Sequence, residues 1–133
     1  MSDFIAARRM MVDGQVRTSD VTDPRLISAM LAIPRERFVS DAKAGLAYLD
    51  LDLPVNDAAE PGRERRLLKP MVLAKLIHAA EIGEADHVLD VGCATGYSSA
   101  VLGRLARSVV ALEQDPKLAR LAQENLSMVG LLP

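Results

Sequence analysis

The sequence predicts an α/β fold, with parallel strands joined by crossover helices in its second half and a helical region in front of them. Three observations predict it. Val88–Val91 and Val109–Leu112 are short apolar segments of strand length, each leading into a helical pattern. Between the first strand and its helix lies a glycine-bearing turn, Gly92-Cys-Ala-Thr-Gly96. Asp23-Pro24 and Asp115-Pro116 each join a capping aspartate to a proline suited to the first helical position.

In chain order, Phe4 to Val16 carries apolar residues at Ile5, Val12 and Val16, with Met11 between them, and reads as an amphipathic helix. The helix opened by Asp23-Pro24 has Leu26, Ile27, Met30 and Leu31 on its apolar face, and Pro34 ends it. A short segment through Phe38-Val39 follows, then a stretch from Leu46 to Val55 that is partly extended. Asn56 to Arg66 is polar, contains Pro61-Gly62 and has no apolar period, which predicts a mobile surface loop. Pro70 opens a helix with Val72, Leu73, Leu76, Ile77 and Ala80 on one face and Gly83 as its stop. The strand Val88–Val91, a helix from about Ser98 to Ala106 and the strand Val109–Leu112 come next. Asp115-Pro116 caps a last helix bearing Leu118, Leu121, Ala122 and Leu126, which Gly130 ends. Residues 1–69 thus form a helical N-terminal region, and residues 70–133 a β-α-β-α unit. No internal repeat or low-complexity tract interrupts them.

Composition sets limits on function. Half of the 133 residues are apolar and 26% are charged, enough for a core and a polar surface. A net charge of −2 lacks the electrostatic footprint of a nucleic-acid binder. The basic cluster Arg63, Arg65, Arg66 and Lys69 is diluted by Glu60 and Glu64 and reads as a solvated loop. No apolar run is long enough to span a bilayer, and Met1 to Arg9 has no signal-peptide core, so a cytoplasmic location is expected. The one cysteine, Cys93, has no metal-spaced His or Cys near it and reads as a small residue that fits the turn; no metal site is expected. His78 and His87 have no partner at catalytic spacing and read as structural.

A turn at a helix N-terminus presents backbone N–H groups to an anionic or polar ligand. Glu113, at the tip of the second strand, can accept hydrogen bonds from two vicinal ribose hydroxyls. A dinucleotide fingerprint G-x-G-x-x-G laid on Gly92 demands glycines at Ala94 and Tyr97 and finds neither, which counts against an NAD-dependent oxidoreductase. Asp90-x-Gly92-x-Ala94-x-Gly96 instead resembles the D/E-x-G-x-G-x-G turn of S-adenosylmethionine-dependent methyltransferases, with alanine for the middle glycine. The plain alternative is an ordinary strand-to-helix turn with two glycines.

The resemblance extends over nearly the whole chain. Met11-Val-Asp-Gly-Gln-Val-Arg17, Asp23-Pro-Arg25, Ala29-Met30, Ile33-Pro-Arg35, Phe38-Val39, Ala47-Tyr48-Leu-Asp50 and Leu53-Pro54 precede the turn in this order. Together they resemble the protein-L-isoaspartate O-methyltransferase family, and they are more specific than the turn. The resemblance implies a Rossmann-like, mostly parallel seven-stranded sheet between helices, and methylation of the free carboxylate of isoaspartyl residues in damaged proteins. It implies S-adenosylmethionine as cofactor, and protein or peptide substrates rather than nucleic acid or membrane. The cofactor-binding set it implies is Asp90, Gly92, Cys93, Ala94, Gly96, Tyr97 and Glu113. Of these, Asp90, Gly92, Ala94 and Gly96 line the methionine part, Glu113 holds the ribose, and Tyr97 is the aromatic that often follows the last glycine.

Two departures matter. The family's acceptor motif, a Thr-Ile-Ser-Gln-Pro-like run, aligns with Arg66-Leu67-Leu68-Lys69-Pro70, so Leu68 stands where the family has a serine near the substrate carboxylate. The chain also stops at Leu131-Leu132-Pro133, where a third strand is expected, and reads as cut short. Two parallel strands alone leave sheet faces and an edge uncovered, which predicts self-association and an inactive isolated chain. A second reading therefore stays open: a catalytically degenerate protein of this fold that binds a nucleoside or a partner protein without methyl transfer.

Overall fold

The structure, a computed structural model, describes residues 3–57 and 62–130. Glu60, Pro61 and the tail Leu131-Leu132-Pro133, which figured in the expectations above, lie outside the described residues.

Helix α1 (Phe4–Met11) starts where the Asp3 carboxylate accepts the Ala6 N–H at 3.0 Å. The chain stays helical to Val16 as expected, but Val12–Val16 winds as a π-helical turn and Arg17–Ser19 as a 3₁₀ turn, ending at left-handed Asp20. The wider winding lets Met11, Val12 and Val16 all be buried, which a uniform α-helix does less well for an 11, 12, 16 spacing. Gln15 in this turn donates to the Tyr48 carbonyl at 2.8 Å. Helix α2 (Pro24–Ala32) is capped by Asp23, which accepts the Arg25 N–H, and stops before Pro34.

Residues 46–55 are less extended than expected. Arg35–Phe38 and Asp41–Leu46 are 3₁₀ turns, and only β1 (Leu53–Pro54) is strand. It pairs antiparallel with β2 (Arg66–Leu67), so Arg66 opens a strand rather than closing a loop. Strands of two residues are too short to show a period of 2 in sequence. Helix α3 (Pro70–Ala80) ends at Glu81, with φ +51°, and not at Gly83, whose N–H is held by Asp86 in the turn into the sheet.

The strands β3 (His87–Val91) and β4 (Ser108–Leu112) are parallel and in register from His87↔Ser108 to Val91↔Leu112. Helix α4 (Tyr97–Gly103) forms the crossover, shorter by three residues at its C-terminal end than expected. Helix α5 (Pro116–Met128) is capped by Asp115 through the Lys117 and Leu118 N–H groups. One core draws on both sides of residue 70, joining Met11, Met30 and Phe38 to Tyr97, Val101 and Leu126. Val88 and Val109 pack against it from the sheet. The other face of the sheet, Leu89, Val91, Val110 and Leu112, is 53–69% exposed. Among the described residues no helix is long and apolar enough to cross a membrane.

Candidate functional site

The turn after β3 hangs on the end of β4, where the Leu112 carbonyl accepts both the Gly92 N–H (2.7 Å) and the Cys93 N–H (3.1 Å). Three of its residues have positive φ: Gly92 at +75°, Ala94 at +52° and Gly96 at +99°. At Gly96 the reason is both conformation and space, since a Cβ there would lie 3.3 Å from Leu126 Cγ and 3.4 Å from Ala122 on α5. Ala94 keeps its Cβ in the left-handed region at a cost of about 1–2 kcal/mol.

Asp90 lies in β3, and its Oδ2 accepts the Ser98 hydroxyl at 2.6 Å and the Ser99 hydroxyl at 2.7 Å. It therefore ties the strand to the first turn of α4. Cys93 is buried, and burial together with the Asp90 and Glu113 carboxylates pushes its thiol up. Tyr97 is a core residue. Its side chain is 1% exposed and lies in the core, edge-on to Phe38 at 5.6 Å and beneath the Arg35 guanidinium at 4.7 Å. As the first residue of α4 it places its ring in the core, where Phe38 and Arg35 cover it.

Glu113 follows β4, and its side chain is 1% exposed. Its Oε1 accepts the Ala94 N–H at 2.9 Å, placing the carboxylate beside the turn as the spacing predicted. Its Oε2 accepts the Asp115 N–H, also at 2.9 Å. The Arg65 guanidinium fills the remaining positions bidentately, Nη1 to Oε2 at 2.7 Å and Nη2 to Oε1 at 2.5 Å. Arg65 above all, helped by the two backbone N–H groups, holds the Glu113 carboxyl down at about 2, against the opposing effect of burial. The same carboxylate holds the Arg65 guanidinium firmly protonated.

Arg65 was expected to be a solvated loop residue, and the structure overturns that. Arg63 and Arg66 are the exposed members of the cluster, and Arg66 pairs with exposed Glu64. Forty-eight residues separate Arg65 from Glu113, so no local pattern joins them. The available signal is the alternation into β2: half-buried Arg65, exposed Arg66, buried Leu67 and exposed Leu68.

Leu68 is 41% exposed. The backbone around it is anchored, for the Leu68 carbonyl accepts Arg35 Nη2 at 2.9 Å and the Lys69 N–H is held by Asp52 at 2.7 Å. Arg35 is fully buried and also donates through Nε to the Ala47 carbonyl at 2.7 Å. Sequence reasoning missed both supports, since a buried arginine bonded to carbonyls has no sequence signature. Beside β4, a cavity of about 470 Å³ is bordered by Cys93, Ser99, Leu112, Glu113, Ala122 and Leu126. That volume lies within the range of small-molecule sites.

Comparison with known proteins places this geometry in context. The family model described as Protein-L-isoaspartate(D-aspartate) O-methyltransferase matches residues 7–131. A protein-L-isoaspartate O-methyltransferase of Protochlamydia amoebophila is 38% identical over 120 residues, 90% of this chain and 54% of that protein. One from Magnetococcus marinus is 40% identical over 126 residues, 95% of this chain and 52% of that protein. The chain thus spans about half the length of these curated relatives. A solved protein-L-isoaspartate O-methyltransferase superposes with a TM-score of 0.81 at 25% identity, covering 94% of this chain and 39% of that one. A Plasmodium falciparum structure in complex with S-adenosyl-L-homocysteine has a TM-score of 0.68 at 15% identity, covering 98% of this chain and 57% of that one, and supports the fold.

Proposed function

The chain belongs to the protein-L-isoaspartate O-methyltransferase family, and from that premise we propose that it serves S-adenosylmethionine-dependent methylation of the free carboxylate of isoaspartyl residues in damaged proteins. The observation that carries the reading is the meeting of the Gly92–Gly96 turn with the Glu113 carboxylate, 2.9 Å from the Ala94 N–H. A strand-to-helix turn at the N-terminus of α4, with a fixed anion beside it, suits a nucleoside with a polar tail. Gly92 and its neighbours would hold the methionine portion, and Glu113 the ribose hydroxyls once its carboxylate is accessible. The bound cofactor would supply a methyl group on a sulfonium, already activated for transfer.

The remaining work is positional. An isoaspartyl carboxylate is an anion at neutral pH and needs no base, so the protein has to align it and exclude water. Anchoring of the Leu68–Lys69 backbone by Arg35 and Asp52 gives the acceptor side a fixed edge. The expected partners are protein or peptide substrates, not nucleic acid or membrane, and the expected location is the cytoplasm. Calorimetry with S-adenosylhomocysteine tests the site: Glu113→Ala should weaken binding at least about tenfold, since hydrogen bonds to a charged acceptor are worth roughly 1.5–3 kcal/mol each. Equal affinities would remove Glu113 from the site.

A second reading is favoured by Leu68, which offers no donor to an incoming carboxylate, and by the engagement of Glu113 with Arg65. In it the protein binds a nucleoside or a partner without methyl transfer. Transfer of tritiated methyl from S-adenosylmethionine to an isoaspartyl peptide separates the two. Activity that Leu68→Ser fails to raise would place Leu68 outside the acceptor site.

A further inference from the structure

We infer that Arg65 is a two-position residue, paired with Glu113 as the structure shows it and receiving the acceptor's carboxylate once Glu113 has exchanged it for the cofactor's ribose. The inference rests on the cofactor reading of the site given above. It begins with saturation. A carboxylate has about four lone-pair sites, and Glu113 meets four N–H donors: two from Arg65, one from Ala94 and one from Asp115. With its side chain 1% exposed, Glu113 has no open direction for two more hydroxyls. A vicinal diol can be accepted only if donors leave.

The four donors differ in freedom. The Ala94 and Asp115 N–H groups belong to the turn and to the α5 cap, whose backbone is held by its own hydrogen bonds. Arg65 is different: its side chain is 31% exposed and sits on a long stem at the start of β2. Asn56 fixes its backbone N–H at 2.8 Å, so the side chain can move while the strand stays. Ribose hydroxyls can replace its two hydrogen bonds but not its charge.

The position of Arg65 also determines what it can do when released. Its Nη2 lies 3.5 Å from where a Cβ on Gly92 would be, so the guanidinium hangs over the first glycine of the turn. Arg65 also lines a groove with Asn56, Arg63 and Pro116, beside the N-terminus of α5. Three residues further on is Leu68, which cannot donate a hydrogen bond at the position where the family has a serine. A guanidinium recognises a carboxylate bidentately, so the released Arg65, which hangs over Gly92, is placed to receive the acceptor's carboxylate beside the turn. Binding becomes ordered, with cofactor first and acceptor second, because the receptor for the acceptor is engaged until Glu113 changes partner.

The test uses the chain as it stands, with wild type, Arg65→Ala and the conservative Arg65→Lys. S-adenosylhomocysteine is titrated first by calorimetry, then a peptide with one internal isoaspartyl residue. Removing the competing donor should tighten S-adenosylhomocysteine binding at least tenfold in Arg65→Ala, with Arg65→Lys between that variant and wild type. In the same variant, peptide affinity in saturating S-adenosylhomocysteine should fall at least tenfold, and wild type should bind peptide only after the nucleoside. A second readout is the Arg65 Nε–H resonance, which should shift and exchange faster with solvent as S-adenosylhomocysteine is added. If the nucleoside binds, moving the Ala94 and Asp115 amides, while Arg65 Nε–H stays put and Arg65→Ala has unchanged or weaker affinity, the exchange is overturned and the cofactor site stands. If none of the three proteins binds the nucleoside, the cofactor reading itself fails and takes the exchange with it.

Discussion

The two faces of the β3–β4 pair share one backbone and have opposite fates. Inward, Val88 and Val109 pack on a core that also holds Tyr97 and Phe38. Outward, Leu89, Val91, Val110 and Leu112 stand 53–69% exposed on adjacent, in-register positions. Parallel strands are normally covered on both faces and are apolar on both for that reason. Apolar strand sequence therefore reports the burial a position is suited to, which here exceeds the burial that the described residues provide. This accords with a chain spanning about half the length of its curated relatives.

The comparison is sharpened most strongly from inside. Tyr97→Ala should cost about 3–5 kcal/mol, the range for removing a buried aromatic ring, whereas Leu89→Ala on the open face should cost less than about 1 kcal/mol. Urea melts of the two variants against wild type measure the contrast, and similar losses would mean that the outer face is covered in solution.

Next in size is the polar rim at the end of β4. The Glu113 carboxyl is held at about 2 against an ordinary value of 4.5, so the folded state binds its proton less readily than the unfolded state. The resulting stabilisation is complete above about pH 4.5 and is lost as the pH falls toward about 2. At 1.36 kcal/mol per unit its size is on the order of 3 kcal/mol. Melting followed from pH 6 to pH 2 should show this loss in wild type, and a much flatter profile in Arg65→Met. Equal slopes would remove the ion pair as the cause.

The outer face itself can be changed directly. If apolar exposure drives association of the chain with itself, the double variant Leu89→Lys, Val110→Lys should weaken dimerisation at least about tenfold, equivalent to 1.4 kcal/mol. Sedimentation equilibrium reads this, and a monomeric wild type would dismiss the premise. The smallest effect lies in the turn between the faces. Ala94→Gly relieves a left-handed alanine and should raise stability by up to about 1 kcal/mol, less the entropy that glycine loses on folding. A destabilised variant would mean that the Ala94 methyl packs usefully.

What was legible in the sequence was local. Asp23-Pro24 and Asp115-Pro116 mark helix starts because cap and proline act within one turn, and β3 and the start of α4 lie within one residue of their expected places, while α4 ends three residues early. Glu113 was placed beside the turn because strand, turn and crossover lengths leave it little choice. The illegible parts join distant residues. Arg65 reaches Glu113 across 48 positions, and Arg35 reaches Leu68 across 33. The burial of Tyr97 is illegible too, because a place next to a glycine turn says nothing about which way the first side chain of the helix points. The π-helical turn at Val12–Val16 and the two-residue strands lie below the length at which periodicity can speak.

Cys93 makes the turn observable without any label being engineered. It is the one cysteine in the chain, it is 3% exposed, and its thiol is pushed up by burial and by the neighbouring carboxylates. A thiol reagent added to the folded protein can react only through moments when the turn opens, since the attacking species is an exposed thiolate. The labelling rate is therefore a native clock for that opening. A ligand seated against the turn would slow the clock, and denaturant would quicken it, with the intact sequence serving as its own reporter.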